Sequence, residues 1–313
     1  MRWLAKAALQ NTISVLPRSV EVNGLLQRYG TRSVVMTPQR VVRKLARVGG
    51  RHLDHQRRFG PRPLTETEVV EIGTGFAPLL PVGLYLAGAK AVHTFDIVSL
   101  ANRARTCDML DQVVATADSG ALERECPWVL PERLDHVRAI AADPPLELDP
   151  LLAEMRISYH VGDASRSGLA DGSAGLFVTN NVFEHIPAGG IRAILREAHR
   201  TGAPDALISH HIDLRDHYAK FDRKVGVYNS LRFSSRQWHY LNSRLEPQNR
   251  LRRPDFLRLV DECGFDLVAE DSHNGNDAHF AAVRPAPEFG RYDEVDLRIV
   301  DMWIAARRRD SAD

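Results

Sequence analysis

Apolar residues in this chain gather into short, nearly continuous runs separated by polar turns. Val69-Val70-Glu71-Ile72 arrives at Gly73-Thr74-Gly75, restarts as an apolar segment ending near Gly88, and is followed by Ala91-Val92-His93-Thr94-Phe95 closing on Asp96. Short apolar runs bounded by turn residues read as doubly buried strands, so this stretch predicts a β-α-β unit. Residues 157–161, 175–179, 206–209 and 265–269 predict a third to a sixth strand, and 279–283 a seventh, reached through a polar loop over 271–277. Between them the period changes to that of helices. Ile191, Ile194, Leu195 and Ala198 share one face of a helix that stops at Gly202, and a helix opened by Pro254 runs through Leu257, Leu259, Val260 and Cys263 to Gly264. Asp296, Ile299, Val300, Trp303 and Ile304 fall at helical spacing and predict a closing helix. Strands alternating with helices predict an α/β fold.

The first 64 residues read differently. They predict helices broken at Pro17, Gly30, Pro38 and the Gly49-Gly50 pair, with one stripe through Trp3, Leu4, Ala7, Ala8, Leu9, Ile13 and Leu16 and another through Val41, Val42, Leu45 and Val48. Gly60-Pro61-Arg62-Pro63 marks a linker, which divides the chain into a helical segment 1–64 and a domain 65–313. Within the domain, residues 100–155 hold five prolines and read as an insertion of short helices near the substrate mouth; 215–253 reads as a second insertion.

Composition adds one asymmetry. The net charge is +1, yet residues 1–64 carry thirteen Lys/Arg against Glu21 and Asp54, a net of +11 that leaves −10 for the rest. A basic arm suits an anionic partner, such as a membrane surface, a nucleotide-linked substrate or nucleic acid, or else packs on its own acidic body. Cys107, Cys126 and Cys263 are too far apart for a metal pair or a disulfide framework, which fits a reducing cytoplasm. No apolar run approaches eighteen residues, and Lys6, Gln10 and Asn11 interrupt any leader-like segment, so the expected location is cytoplasmic, with a peripheral membrane contact as the variant.

The chemistry is read at the carboxyl ends of the predicted strands, where open α/β sheets bind ligands. Glycines let backbone approach a ligand closely. Two acids, Glu71 and Asp96, suit a ligand offering hydroxyls and an amine, whereas Glu71 would repel a polyphosphate. A dinucleotide G-x-G-x-x-G would need its third glycine at position 78, which is Pro78. Glu-x-Gly-x-Gly followed by a strand-terminal Asp resembles the class I S-adenosylmethionine (SAM) methyltransferases. Gly162-Asp163-Ala164 and Asn180-Asn181-Val182-Phe183-Glu184-His185-Ile186 are similar to that family's later loops. The resemblance covers roughly 65–217 and 254–285. It implies a Rossmann-like seven-stranded methyltransferase sheet with helices on both faces. It also implies a helical N-terminal segment over the substrate side, and SAM bound by Glu71, Gly73, Thr74, Gly75, Asp96, Ile97, Asp163, Ala164 and Asn180.

SAM carries an activated methyl group, so a hydroxyl acceptor needs orientation and a proton acceptor. His185 follows strand four, and His210, His211 and His217, interleaved with Asp213 and Asp216, follow strand five. A histidine held by an aspartate suits a base near neutral pH, which makes His185, His210, His211, Asp213 and His217 the catalytic candidates. Asn181, Glu184 and His185 are spaced as in the ubiquinone-biosynthesis O-methyltransferases and the small-RNA 2′-O-methyltransferases, where a later histidine completes a metal site. That resemblance implies Mg²⁺ held by Glu184, His185 and His217, with Asn181 in place of an acid. Tyr218, Tyr228, Trp238, Tyr240, Asn242 and Arg250 add aromatic faces and donors of the kind that hold sugar rings, or else their aromatics fill a small satellite core of the insertion. The expectation is an O-methyltransferase acting on a hydroxyl of a saccharide: a glycan, a glycolipid or a nucleotide-linked sugar. Leu16-Pro17, Asn23, Gln27 and the 210–218 block resemble bacterial methyltransferases of cell-envelope polysaccharide biosynthesis. The alternatives are an RNA ribose 2′-O-methyltransferase and a non-catalytic SAM-binding or membrane adaptor.

Overall fold

Seven strands hydrogen-bond into one sheet in the computed structural model, which describes residues 2–13, 36–222 and 224–310. The breaks expected at Pro17 and Gly30, and the motif residues Leu16, Asn23 and Gln27, lie outside the described residues. The strands are β1 (Glu68–Ile72), β2 (Ala91–Asp96), β3 (Ile157–Val161), β4 (Ala174–Asn180), β5 (Gly202–Asp213), β6 (Phe265–Asn274) and β7 (Ile299–Arg308), in the order β3-β2-β1-β4-β5-β7-β6. Only β7 runs antiparallel to its neighbours. The carboxyl ends of β1, β2, β4, β5 and β6 therefore lie on one edge of the sheet.

The helices follow from the same alternation. In chain order they are α1 (Arg2–Ile13), α2 (Pro38–Lys44), α3 (Gly50–Phe59), α4 (Leu79–Leu86), α5 (Arg103–Asp118), α6 (Ala121–Glu125), α7 (Pro131–Ala142), α8 (Leu148–Ala153), α9 (Ala188–Thr201), α10 (Ser235–Leu241), α11 (Arg253–Glu262), α12 (Asp277–Ala281) and α13 (Glu294–Arg298). Successive strand residues point to opposite faces, so Val69, Leu176 and Leu207 join one core cluster while Val70, Phe177 and Ile208 join another. On the first face lie α4, α5, α7 and α8; on the second, Ile191, Ile194 and Leu195 of α9 and Phe256, Leu259 and Val260 of α11. This is the expected seven-stranded α/β sheet with helices on both faces. The stretch 100–155 proves to be core: Leu110, Val113, Val137 and Leu152 are fully or nearly fully buried with α4.

Two elements differ from the sequence reading. The seventh strand is not 279–283 but Ile299–Arg308, where a closing helix was expected. Met302, Ile304 and Ala306 face one core and Ala305 the other, so the strand is apolar on both sides. A continuous apolar run satisfies any period, and its helical spacing was coincidental. At 279–283 the Asn276 side chain accepts from His279 N at 3.2 Å and starts the short helix α12, which buries Phe280 beside Tyr228.

β5 also extends through His210 and His211 to Asp213, and β6 runs on to Asn274 through the expected polar loop. Nor do Gly49 and Gly50 break the N-terminal helix: the chain continues from α2 through a π-helical turn (Leu45–Gly49) into α3, and Trp128 packs close to both glycines.

Val41 and Leu45 belong to the same core cluster as Val69 and Leu84, so packing is continuous across the expected boundary at residue 64. A polar clasp fixes α3 to the sheet. Nδ1 of His52 and Nδ1 of His55 both lie 2.8 Å from the Ser209 hydroxyl on β5. One hydroxyl proton serves one ring, so the other ring must donate its own Nδ1–H. Burial keeps both rings neutral: it lowers the His52 pKa well below its usual value and pulls that of His55 down to about 4. Part of the basic segment is thus built into the body.

Candidate functional site

The turn after β1 is shaped by two glycines in the left-handed region, Gly73 at φ 95° and Gly75 at φ 69°. A Cβ on Gly73 would run into Val182 of the β4 loop, so the close approach of two strand ends demands glycine there. Above Gly75 the space is open, and a Cβ there would meet nothing within 4 Å. Gly73 N donates to Phe95 O at 2.8 Å, and Gly75 N donates to Asp96 Oδ2 at 2.9 Å. Val98 N donates to the other Asp96 oxygen at 3.2 Å. Glycine turn and acid form one unit spanning the ends of β1 and β2, with Ile97 exposed at its rim.

Glu71 sits beneath that unit, not in its opening. It is 2% exposed, and its carboxylate accepts the Thr94 hydroxyl, which lies 2.5 Å from the Thr74 hydroxyl. Burial lifts the Glu71 pKa to about 7 against the opposing Thr94 bond and Lys44 charge. A carboxyl raised on folding contributes stability that is full below its unfolded value and is lost as pH rises through about 7. Glu71→Gln removes this dependence. Between pH 6 and pH 8.5 the wild type should lose roughly 1 kcal/mol, a few degrees of melting temperature, relative to the variant. Parallel melting curves would contradict a buried Glu71 that titrates near 7.

The remaining cofactor candidates cluster near the same opening or close to it. Gly162 N donates to Asp96 O at 2.9 Å, which brings the exposed Asp163 loop beside β2. Asp163 caps its own turn through Ser165 N at 2.9 Å, and those bonds hold its pKa down. Ala164 packs on the second core cluster. Asn180 ends β4, and its Oδ1 lies 2.9 Å from His211 Nδ1.

The histidines separate into three environments. His210 is 1% exposed, its Nδ1 meets the Thr179 hydroxyl at 2.9 Å, and its ring lies 4.4 Å from Phe183. Burial drives its pKa to about 3. The structure therefore removes His210 from the catalytic candidates, because it points into the core while its neighbour points out. His211 stacks on Trp303 at 4.2 Å, and its Nε2 lies 2.9 Å from Asp301 Oδ2. Ionised Asp301 only accepts, so Nε2 carries a proton. Asp301 and Trp303 were missed because they stand in the stretch read as a helix.

His217 belongs with His185 and Glu184. One ligand atom from each lies within 4.8 Å of the others. Glu184 is 2% exposed, and neither carboxylate oxygen has a hydrogen-bond partner among the described residues. Such a group pays heavily for burial unless a cation meets it, and burial raises its pKa well above the usual carboxylate range. His185 Nδ1 donates to Pro247 O at 2.7 Å, which leaves Nε2 as the lone-pair nitrogen, 4.0 Å from Glu184 Oε1. Orienting a ligand imidazole through its other nitrogen is how metal sites are commonly supported. His217 Nε2 also lacks a hydrogen bond and lies 3.5 Å from Asp213 Oδ2. The orphaned oxygens and the oriented ring fit a divalent cation. Two imidazoles with one carboxylate suit Mn²⁺ or Zn²⁺ better than the Mg²⁺ implied by resemblance. Asn181 Oδ1, at a left-handed residue, is likewise buried and unpartnered among the described residues.

Asp213 is fully buried at the end of β5. Burial works to raise its pKa, but His217, two bonds from Arg215 at 2.7 and 3.0 Å and Lys220 at 2.8 Å hold it far below the usual range. It is a permanent anion that anchors the next loop and is not a proton acceptor. Gln248 and Asn249 complete the frame: His217 N donates to Gln248 Oε1 at 3.0 Å, and Asn249 Nδ2 donates to the Phe183 and Ile186 carbonyls, each at 2.6 Å. Both lie in the polar-aromatic insertion, where their composition alone carried no positional signal.

No family model matches the chain, and no curated protein matches it. Among solved structures, a SAM-dependent methyltransferase from Methanosarcina mazei is similar at 14% identity and TM-score 0.43, over 79% of this chain and 94% of that one. A geranyl diphosphate C-methyltransferase from Streptomyces coelicolor A3(2), solved with Mg²⁺, geranyl diphosphate and S-adenosyl-L-homocysteine, is similar at 10% identity and TM-score 0.44, over 87% and 83%. The [4+2]-cyclase SpnF is similar at 12% identity and TM-score 0.46, over 85% and 82%. At these identities and TM-scores the likenesses do not bear on the reaction.

Proposed function

We propose that the chain is a SAM-dependent O-methyltransferase whose acceptor is a saccharide hydroxyl, carried on a glycan, a glycolipid or a nucleotide. The observation that carries the reading is the open space over Gly75, with the Asp96 carboxylate fixed against its backbone. Asp96 would take the ribose hydroxyls, and Gly73, Thr74 and Gly75 would let the cofactor's amino-acid part lie against the turn. Glu71 acts from below by holding Thr94 and Thr74. Ile97, Asp163 and Ala164 would line the adenine side, and Asn180 would border the methyl. Bound there, SAM supplies a methyl on a sulfonium, activated toward an oxygen nucleophile.

His211 is the proposed proton acceptor. Asp301 fixes its Nε2–H, and with the Asn180 amide turned so that its NH₂ faces the ring, Nδ1 is the lone-pair nitrogen. An acceptor hydroxyl that takes the place of the amide would give Nδ1 its proton as the new C–O bond forms and the methyl–sulfur bond of SAM breaks. Trp303 holds the ring plane. Glu184, His185 and His217 would hold a divalent cation, which would supply Lewis acidity toward an acceptor hydroxyl and help to orient a diol. Asp213 keeps His217 in place. A saccharide is favoured over a flat acceptor because the groups gathered at the strand ends are carboxylate, imidazole and amide: Asp96, His185, His211, His217 and Asn180.

The expected result for His211→Asn is a loss of methyl transfer of about 100-fold or more with unchanged SAM affinity. Asp301→Asn should fall less and shift the pH profile of turnover. Full turnover by His211→Asn, measured with labelled SAM, would move the base elsewhere.

A further inference from the structure

The insertion beside the acceptor site carries a surface that the transfer reaction does not use. Residues 215–245 hold seven Lys/Arg and two acids. Both acids turn inward: Asp216 accepts from Tyr218 N at 2.7 Å and Asn229 Nδ2 at 2.9 Å, and Asp222 is 6% exposed, with Trp3 N donating to it at 3.3 Å. The charge presented outward by this segment is therefore positive, from the exposed Lys224, Arg236 and Arg244.

Helix α1, which contains no acid, lies across this insertion. Its inner stripe is satisfied: Trp3 packs 5.3 Å from Tyr218 and 5.9 Å from Phe233, and Ala7 joins them and Trp238 in a small core. Its outer side is not. Leu9 is 54% exposed, and the neighbouring insertion adds Phe221 at 43% and Tyr240 at 71%. These groups share a locality. Lys6 Nζ lies 5.2 Å from the Phe221 ring, while Asn11 donates to Tyr240 O at 3.2 Å and accepts from Arg244 N at 3.1 Å. Lys6 and Asn11 are about 7.5 Å apart along the helix axis. Arg236 and Tyr240, four apart on α10, share a face.

We propose that the face made by α1 and the 215–245 insertion docks on an anionic lipid surface. Aliphatic and aromatic groups rimmed by Lys and Arg, with Asp216 and Asp222 withdrawn, are what the headgroup region selects. A nucleic-acid surface would use the basic residues but has no use for an exposed leucine. Lys220, beside Phe221, bonds Asp213, which in turn contacts His217. Docking would thus bring the Glu184–His185–His217 site to the lipid interface, so its acceptor would be a saccharide attached to a lipid. That last step rests on the methyl-transfer reading; the docking itself does not.

The test is sedimentation of the full chain with phosphatidylcholine vesicles containing 30% phosphatidylglycerol, against pure phosphatidylcholine. The chain should sediment with the anionic vesicles alone. Combined Lys224→Glu, Arg236→Glu and Arg244→Glu should weaken this at least roughly tenfold, and Leu9→Ser should weaken it several-fold, with melting temperatures unchanged. No sedimentation with anionic vesicles, equal sedimentation with neutral ones, or indifference to the charge reversals would overturn the proposal. So would binding to RNA that the reversals abolish while Leu9→Ser leaves it intact. SAM titration of the same preparations reports separately on the methyl-transfer reading.

Discussion

Asp96→Ala should abolish tight SAM binding while leaving the fold intact. The carboxylate accepts Gly75 N and Val98 N and so holds the glycine turn in its open form. It is also the one acid at the end of β2 able to meet vicinal hydroxyls. Each hydrogen bond to a charged group is worth about 1.5–3 kcal/mol, so losing two ribose contacts should cost roughly 100-fold to 10,000-fold in affinity. Loosening of the turn adds to this. Calorimetry on the wild type and the variant measures it directly, and equal affinities would mean that the ribose lies elsewhere. The melting temperature without cofactor should fall only modestly, because water reaches the freed Gly75 and Val98 amides at this partly exposed turn.

Glu184→Gln should separate stability from activity. In chelator the wild type buries two carboxylate oxygens with no donor among the described residues, a cost of about 1–3 kcal/mol. The variant should therefore be at least as stable as the wild type under those conditions. Added Mn²⁺ should raise the melting temperature of the wild type and leave that of the variant unmoved. Turnover of the variant should fall by about 100-fold or more if the cation orients the acceptor. An identical thermal response of the two proteins to metal would contradict this use of Glu184, His185 and His217.

The parts of the molecule legible in the sequence are those where local chemistry and burial agree. Val69 to Asp96 is a doubly buried strand, a glycine turn forced by Val182, and a second strand ending in an acid, each with its own sequence signal. β7 was not legible, because Ile299–Arg308 is apolar on both faces and no period can be read from it. That single misreading hid Asp301 and Trp303, which are far from His211 in sequence and adjacent to it across β5 and β7. The same limit explains His210. From the sequence it is one of a pair at a strand end, and only the extension of β5 through both residues turns one ring into the core and the other out. Glu71 shows the opposite case. Its position was read correctly, but its burial and its bond to Thr94 place it under the cofactor turn, since strand alternation puts it on the same face of β1 as Val69.

The central claim, methyl transfer from SAM to a saccharide hydroxyl, is tested most directly by incubating the full chain with methyl-labelled SAM and Mn²⁺. Soluble nucleotide-sugar, glycan, lipid and RNA fractions are supplied as acceptors. Label should enter a saccharide-bearing fraction as an ether-linked methyl, in amounts abolished by Asp96→Ala and strongly reduced by His211→Asn. Label confined to RNA, or absent from every fraction while SAM binds normally, would contradict the account.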